Sequence, residues 1–204
     1  LAFPIFAFLA VEGYFHTRSF KRYALRMLLF AVLSEVPFDL MYGGTVFYPV
    51  HQNVIWTLLL GLLGIRLMET ARAKGKRWLY ILTCAAVVVL GFALGTLGMV
   101  DYYGAGVLTV FAFYFFRERK WWCLLGQLAA LYWLNVVVLG GQMYPVTLFG
   151  REIELCEQGL ALLALVPIWL YRGRQGHHSK AFQYACYAFY PAHMLVLALL
   201  TMIQ

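Results

Sequence analysis

Residues 78–98 read WLYILTCAAVVVLGFALGTLG, a run without one charged side chain, flanked on its N-terminal side by Arg72, Lys74, Lys76 and Arg77. A helix of that length rises about 30 Å, which is the thickness of a bilayer's hydrocarbon core. The run has no period-two alternation and is twice the length of a barrel strand, so it reads as a membrane helix. Similar runs lie on both sides of it, and the rest of the chain follows from their repetition.

The whole chain has the same character. Of its 204 residues 63% are apolar and only 12% charged, with a mean hydropathy of +0.75. That leaves too little polar surface to solvate a water-soluble globule of this size. The reading is an all-α integral membrane protein, one domain over 1–204, with about eight spans at 1–16, 24–42, 53–70, 78–98, 102–116, 121–139, 155–171 and 182–203. Leu1 opens abruptly on what looks like the inside of a span, so the expectation is a missing N-terminal helix and nine spans in the full protein.

Charge sets the orientation. Arg18, Lys21, Arg22 and Arg26; Arg66, Arg72, Lys74, Lys76 and Arg77; Arg117, Arg119 and Lys120; and Arg172, Arg174 and Lys180 fill alternate breaks and hold fifteen of the sixteen basic residues. The breaks between them carry Arg151 against Asp101, Glu152 and Glu154. The positive-inside rule puts the basic set in the cytoplasm and the C-terminus outside, in a cytoplasmic (inner) membrane. The net charge of +7 therefore reports topology, and no nucleic-acid partner is expected. Trp78, Tyr80, Trp121 and Trp122 sit at span ends as interfacial anchors. Cys84, Cys123, Cys156 and Cys186 show no metal-type spacing, and no metal is expected.

The informative residues are ionisable groups inside apolar runs, which cost several kcal/mol unless they are paired or beside water. Glu12 and His16 share a face of the first span. Glu35 and Asp39 share a face of the second, with Pro37 between them to kink the helix and free backbone carbonyls. His193, after Pro191, lies about 16 Å into the last span, and Glu35 lies at a similar depth, so the two are within reach of each other. The bland alternative for each pair is a fastener between helices. His51, Gln52 and Asn53 open the third span. Asn53 fits an N-cap, and the positive end of that helix also suits a substrate carbonyl or anion. The stretch from Tyr171 through Arg172, Gly173, Arg174, Gln175 and Gly176 to His178 is either an ordinary basic loop or a docking surface for a phosphorylated donor.

Several motifs in order resemble the TraX family. They are Leu1-Ala-Phe-Pro-Ile-Phe-Ala-Phe-Leu9, Glu12-Gly13, His16-Thr17-Arg18, Ser34-Glu35-Val36-Pro37-Phe38-Asp39, Gln52-Asn53, Tyr103-Gly104 with Gly106-Val107-Leu108, and Phe189-Tyr190-Pro191 with His193. TraX proteins are similar to the larger group of transmembrane acyltransferases, and the founding member is associated with N-terminal acetylation of a conjugative pilin. The resemblance implies a bacterial helical-bundle acetyltransferase taking acetyl-CoA from the cytosol as co-substrate. Its acceptor would be a peptide or small molecule bearing an amine or hydroxyl, and its partners membrane lipid and, in some assemblies, a second copy. Two features depart from the pattern. Members carry an earlier helix with an Asp-His pair, which would belong upstream of Leu1, and Tyr171-Arg172-Gly173 stands where Tyr-Asn-Gly is frequent.

Acyl transfer needs a base for the acceptor and donors for the oxyanion. On that reading His193 is the base or acyl relay, because imidazole changes protonation near neutrality, and Glu35 orients it. Gln52, Asn53, Tyr103 and Asp39 bind the acceptor from the outer side. Arg172, Arg174 and Lys180, with Glu12 and His16, hold the donor at the inner mouth. A proton-coupled solute transporter and a non-enzymatic scaffold are the alternatives of other classes, since midplane carboxylates and histidines also build transport pathways.

Overall fold

The computed structural model describes residues 2–148, 151–173 and 179–203. It is a helical bundle in the order α1 (Ala2–His16), α2 (Phe20–Gly43), α3 (Val54–Ala73), α4 (Arg77–Leu97), α5 (Tyr103–Phe115) and α6 (Trp121–Tyr132). The chain continues from α6 through a π-helical turn (Trp133–Leu139) into a hairpin of β1 (Met143–Leu148) and β2 (Arg151–Cys156). A 3₁₀ segment (Glu157–Ala164) then leads into α7 (Leu165–Leu170), and α8 (Lys180–Ile203) follows.

α5 is the centre. Ten of its thirteen residues are buried, and Val107, Val110, Phe111 and Phe113 meet Phe3, Ala7 and Val11 of α1 and Leu58, Leu62 and Ile65 of α3 in one core. α4 closes on α3 and α5, while α8 packs along α2. Small residues permit the close approach, as in other membrane bundles. A Cβ on Gly64 of α3 would stand 2.6 Å from the Phe111 ring, and one on Gly91 of α4 2.7 Å from the same ring. Phe111 is thus a wedge seated between two glycines. The outer faces are apolar: Ile81, Leu82, Val89 and Leu90 of α4 and Val196, Leu199 and Leu200 of α8 are all more than half exposed.

The expectation of eight spans is corrected. Among the described residues four segments, Val54–Ala73, Arg77–Leu97, Trp121–Leu139 and Tyr184–Thr201, are long and apolar enough to cross a membrane. α2 has the length, but it carries Lys21, Arg22, Arg26, Glu35 and Asp39. α1 and α5 are apolar and short, and thirteen residues of helix rise only about 20 Å. α5 is short because the chain before it turns as irregular backbone, with Met99 O and Asp101 N bonded to Gln52 in the chain before α3. Such backbone is tolerated within a membrane bundle where protein surrounds it. The 155–171 stretch expected as one span is instead the end of β2, the 3₁₀ segment and the six-residue α7. The fold also gains an antiparallel hairpin, with Val146 opposite Ile153, where a plain connection was expected. The chain is a membrane-type helical bundle with one small hairpin.

The wedge gives a direct test. Gly64→Val forces Phe111 to move, and overpacking of this kind costs about 1–3 kcal/mol. Thermal unfolding in detergent should show the loss, and Phe111→Leu in the same chain should recover part of it.

Candidate functional site

The bundle has two chemically different ends. One gathers the acidic breaks, the start of α3 and the start of α5; the other gathers the basic breaks.

At the acidic end α2 and α3 are joined by buried polar groups. Ser34 and Asp39 are buried and Glu35 is half-buried, all on the last turns of α2 around Pro37. Asn53 is fully buried. Its Oδ1 accepts from the Ile55 amide at 3.0 Å, which caps α3, and its Nδ2 donates to the Ala31 carbonyl at 2.8 Å and to Glu35 Oε2. The Trp56 indole N–H donates to the same carboxylate oxygen at 2.8 Å. Asp39 Oδ2 accepts from the Tyr48 amide at 3.0 Å, pinning the loop between α2 and α3. Among the described residues four buried oxygens have no hydrogen-bond partner: Ser34 Oγ, Glu35 Oε1, Asp39 Oδ1 and the Tyr190 hydroxyl of α8. A protein interior rarely leaves such groups unpaired, because each loses its hydration without compensation.

Beside this cluster the chain before α5 is strapped to the chain before α3. Gln52 N donates to Met99 O and Asp101 N donates to Gln52 O, both at 2.9 Å, and the Thr57 hydroxyl donates to Asp101 O at 2.6 Å. Three non-glycine residues here take left-handed backbone, Met99 at φ 49°, Tyr102 at φ 61° and Tyr103 at φ 49°. Each such residue costs roughly 1–3 kcal/mol, and strain of this kind gathers at functional sites. The strained turn carries Asp101 to His51, with Oδ1 3.4 Å from Nε2. Burial pushes the Asp101 carboxyl above the usual carboxylate range, and the facing His51 opposes that.

The basic end holds a pocket of about 380 Å³ lined by Glu12, Arg117, Arg119, Trp169, Tyr171 and Arg172. The Arg117 guanidinium grips Glu12 with two hydrogen bonds, 2.6 Å from Nε and 3.3 Å from Nη2, and stacks 4.0 Å from the Phe15 ring. Trp169 is fixed by its N–H to Gln127 Oε1 at 2.9 Å. Arg119 and Arg172 are exposed on the rim. A second cavity of about 530 Å³, with Arg18, Lys21, Arg66 and Glu69 among its walls, lies on the other side of α1.

Residues 1–201 match the family described as TraX protein. The chain belongs to the TraX family. The chain is also similar to the probable fimbrial assembly protein FimC, serogroup H1, of Dichelobacter nodosus. It is 26% identical over 207 residues, an alignment covering 97% of this chain and 78% of that protein. No solved structure matches.

In this TraX chain the expected site residues fall into separate places. Glu35, expected level with His193, lies instead with Asn53 and Trp56 at the acidic end, where Asp39, Gln52 and Tyr103 also stand. Gln52 contributes mainly backbone, its side chain turning to Pro49 O at 3.1 Å. Asn53 is the expected cap and also the partner of Glu35. Tyr103, 44% exposed, stands edge-on to the His51 ring at 5.7 Å. His193 stacks on Phe189 at 5.0 Å, with Nδ1 2.9 Å from the carbonyl of Phe189 one turn back. No hydrogen bond or ion pair joins it to Glu35. The α8 residue reaching the acidic cluster is Tyr190, whose ring meets that of His193 at 5.3 Å and whose hydroxyl lies near Val54 in the field of Asp101 and Glu35.

At the basic end Glu12 and Arg172 line one pocket. His16 turns away to the Glu12 carbonyl at 2.8 Å, exposed to solvent. Arg174 and the side chain of Lys180 lie outside the described residues. Sequence reasoning missed Arg117 and Arg119 as pocket residues, since charges already explained by topology carry no second signal. It also missed Trp56, Tyr190 and the pairing of His51 with Asp101, which lie 50 residues apart and share only a side of the membrane.

Asn53 serves two helices at once. Asn53→Ala removes the α3 cap and leaves Glu35 and the Ala31 carbonyl short of a donor, a loss of about 1–3 kcal/mol for a buried group. Thermal unfolding in detergent should fall accordingly, and Asn53→Asp should not restore it, because a carboxylate donates nothing to Glu35.

Proposed function

We propose that this TraX protein is a membrane-embedded acyltransferase, carrying an acetyl group from acetyl-CoA at the basic end to an amine acceptor at the acidic end. The observation carrying this reading is the division of labour along one bundle. Arg117, Arg119 and Arg172, with the aromatic faces of Trp169 and Tyr171, line one end, and buried oxygens without partners line the other. Guanidinium groups suit phosphates in forked contacts, and aromatic faces suit a flat base. Carboxylate and phenol oxygens that lack donors suit an acceptor rich in N–H.

The positive-inside rule places the basic end in the cytoplasm, where acyl donors are made, and the acidic end with the C-terminus outside an inner membrane. The similarity to a probable fimbrial assembly protein makes a pilus subunit's amino terminus the first acceptor to test. In the reaction a ring nitrogen of His193 bonds to the acyl carbon as the carbon–sulfur bond breaks; the acceptor nitrogen then bonds to that carbon as the bond to His193 breaks, and the proton lost by the acceptor balances the one with which the coenzyme leaves as its thiol. His193, midway along α8 between the two ends, is the residue assigned to relay the acyl group, and Glu35 belongs to the acceptor side.

Binding and transfer of isotope-labelled acetyl-CoA by the purified full chain test the reading. Arg119→Ala or Arg172→Ala should weaken donor binding about 10- to 100-fold, the worth of a charge-assisted hydrogen bond. His193→Ala should bind the donor normally and lose turnover. A folded protein that binds no acetyl-CoA but moves solute with protons would replace this reading with a transporter.

A further inference from the structure

We propose that His51 and Asp101 form a catalytic dyad at the acidic end, with His51 the base that takes the proton from the acceptor and Asp101 the residue that positions it. This rests on the acyl-transfer reading and names a residue pair that reading does not use.

His51 is only 6% exposed and is held on several sides. Tyr42 stacks on it at 4.7 Å, Phe38 at 5.7 Å, and Tyr103 meets it edge-on. Nε2 faces Asp101 Oδ1 at 3.4 Å, while Nδ1 has no hydrogen-bond partner among the described residues. A carboxylate on one ring nitrogen fixes the tautomer that leaves the other nitrogen's lone pair free, which is the arrangement of an oriented base. A separation of 3.4 Å is in keeping with a site that tightens once substrate is bound. The other titratable groups near the ring are Tyr42 of α2 and Tyr103 of α5, with Asp39 one turn before Tyr42. No cation from any packed element offers Asp101 a competing partner among the described residues.

The backbone argues against a casual contact. Asp101 is delivered by a turn with three left-handed non-glycine residues. Its carbonyl is held by Thr57, its amide by Gln52, and its neighbour Tyr102 by a stack on Phe3 at 4.2 Å. A fastener between α3 and α5 needs none of that strain, since the Gln52 and Thr57 bonds already join them. Tyr42 and Tyr103, which pack on the His51 ring, are 56% and 44% exposed, and the Asp101 side chain is 30% exposed, so an acceptor from outside reaches the dyad along this edge.

In the step assigned to it, the acceptor nitrogen forms its bond to the acyl carbon as the bond from that carbon to its carrier breaks. The electron pair of the broken bond leaves with the carrier. The proton on the acceptor nitrogen passes to Nδ1 of His51, which returns it to water at the exposed edge.

The test uses the purified full chain, labelled acetyl-CoA, and a short synthetic peptide with a free amino terminus, with transfer to peptide and to water both followed. The dyad predicts that His51→Ala binds acetyl-CoA as the wild type does, loses about 100-fold or more in kcat, and recovers part of it when imidazole is added. Asp101→Asn should lower kcat with the peptide KM unchanged, and Asp101→Glu should restore part of the loss. Transfer by His51→Ala at the wild-type rate overturns the dyad and leaves acyl transfer standing. Loss without imidazole rescue, together with wild-type kcat in Asp101→Asn, makes the pair structural and also overturns it. If the wild type neither binds acetyl-CoA nor transfers its acetyl group, the acyltransferase reading fails and the dyad falls with it.

Discussion

The fully buried Asn53 amide is the interaction on which the acidic end depends. With one side chain it caps α3 through Ile55, holds the Ala31 carbonyl of α2 and grips Glu35. Breaking the amide would free the N-terminus of α3 and leave a carboxylate short of its donors. Because the α3 cap sits beside Gln52 and His51, the same contact sets the height at which the chain before α5 can be strapped. α5, the most buried helix, therefore inherits its position from a hydrogen bond made outside it.

That dependence explains why polar groups concentrate where they do. Phe111 fills the space between Gly64 and Gly91, so the middle of the α3, α4 and α5 group is closed to solutes. Polar chemistry is pushed to the two ends and to the seam of α2 and α8. In the basic-end pocket the Glu12 and Arg117 pair leaves Arg119 and Arg172 as exposed cations. At the acidic end the opposite holds: among the described residues, buried carboxylate oxygens of Glu35 and Asp39 lack donors. An extended donor and a protonated acceptor would each meet complementary charge, which is the physical sense in separating the two ends.

The helical membrane character, the single chain of short connections, the alternation of charge and the capping role of Asn53 were all legible in the sequence. Each is local: a run of apolar residues, a count of charges, or a cap beside the helix it caps. Membership of the TraX family was legible from ordered motifs, and the match over residues 1–201 shows it. The common side of Asp39, Gln52, Asn53 and Tyr103 was also legible, because span ends fix side; the place of Glu35 among them was not.

Partners and lengths were decided only by the tertiary structure. Hydropathy does not distinguish a helix buried among helices from one facing lipid, so α5 and α7 read as full spans although they are too short to cross. Depth arithmetic put Glu35 and His193 level, yet rotation about the helix axes gave Glu35 to Asn53 and Trp56 and brought Tyr190 to the cluster. The approach of His51 to Asp101, and of Arg117 to Glu12 across 105 residues, depends on how the helices turn and how a strained loop is strapped. The sequence by itself determined which residues lie at which end of the bundle, because that follows from counting along one helix. Which of them touch was decided by packing between helices, and no local pattern encodes it.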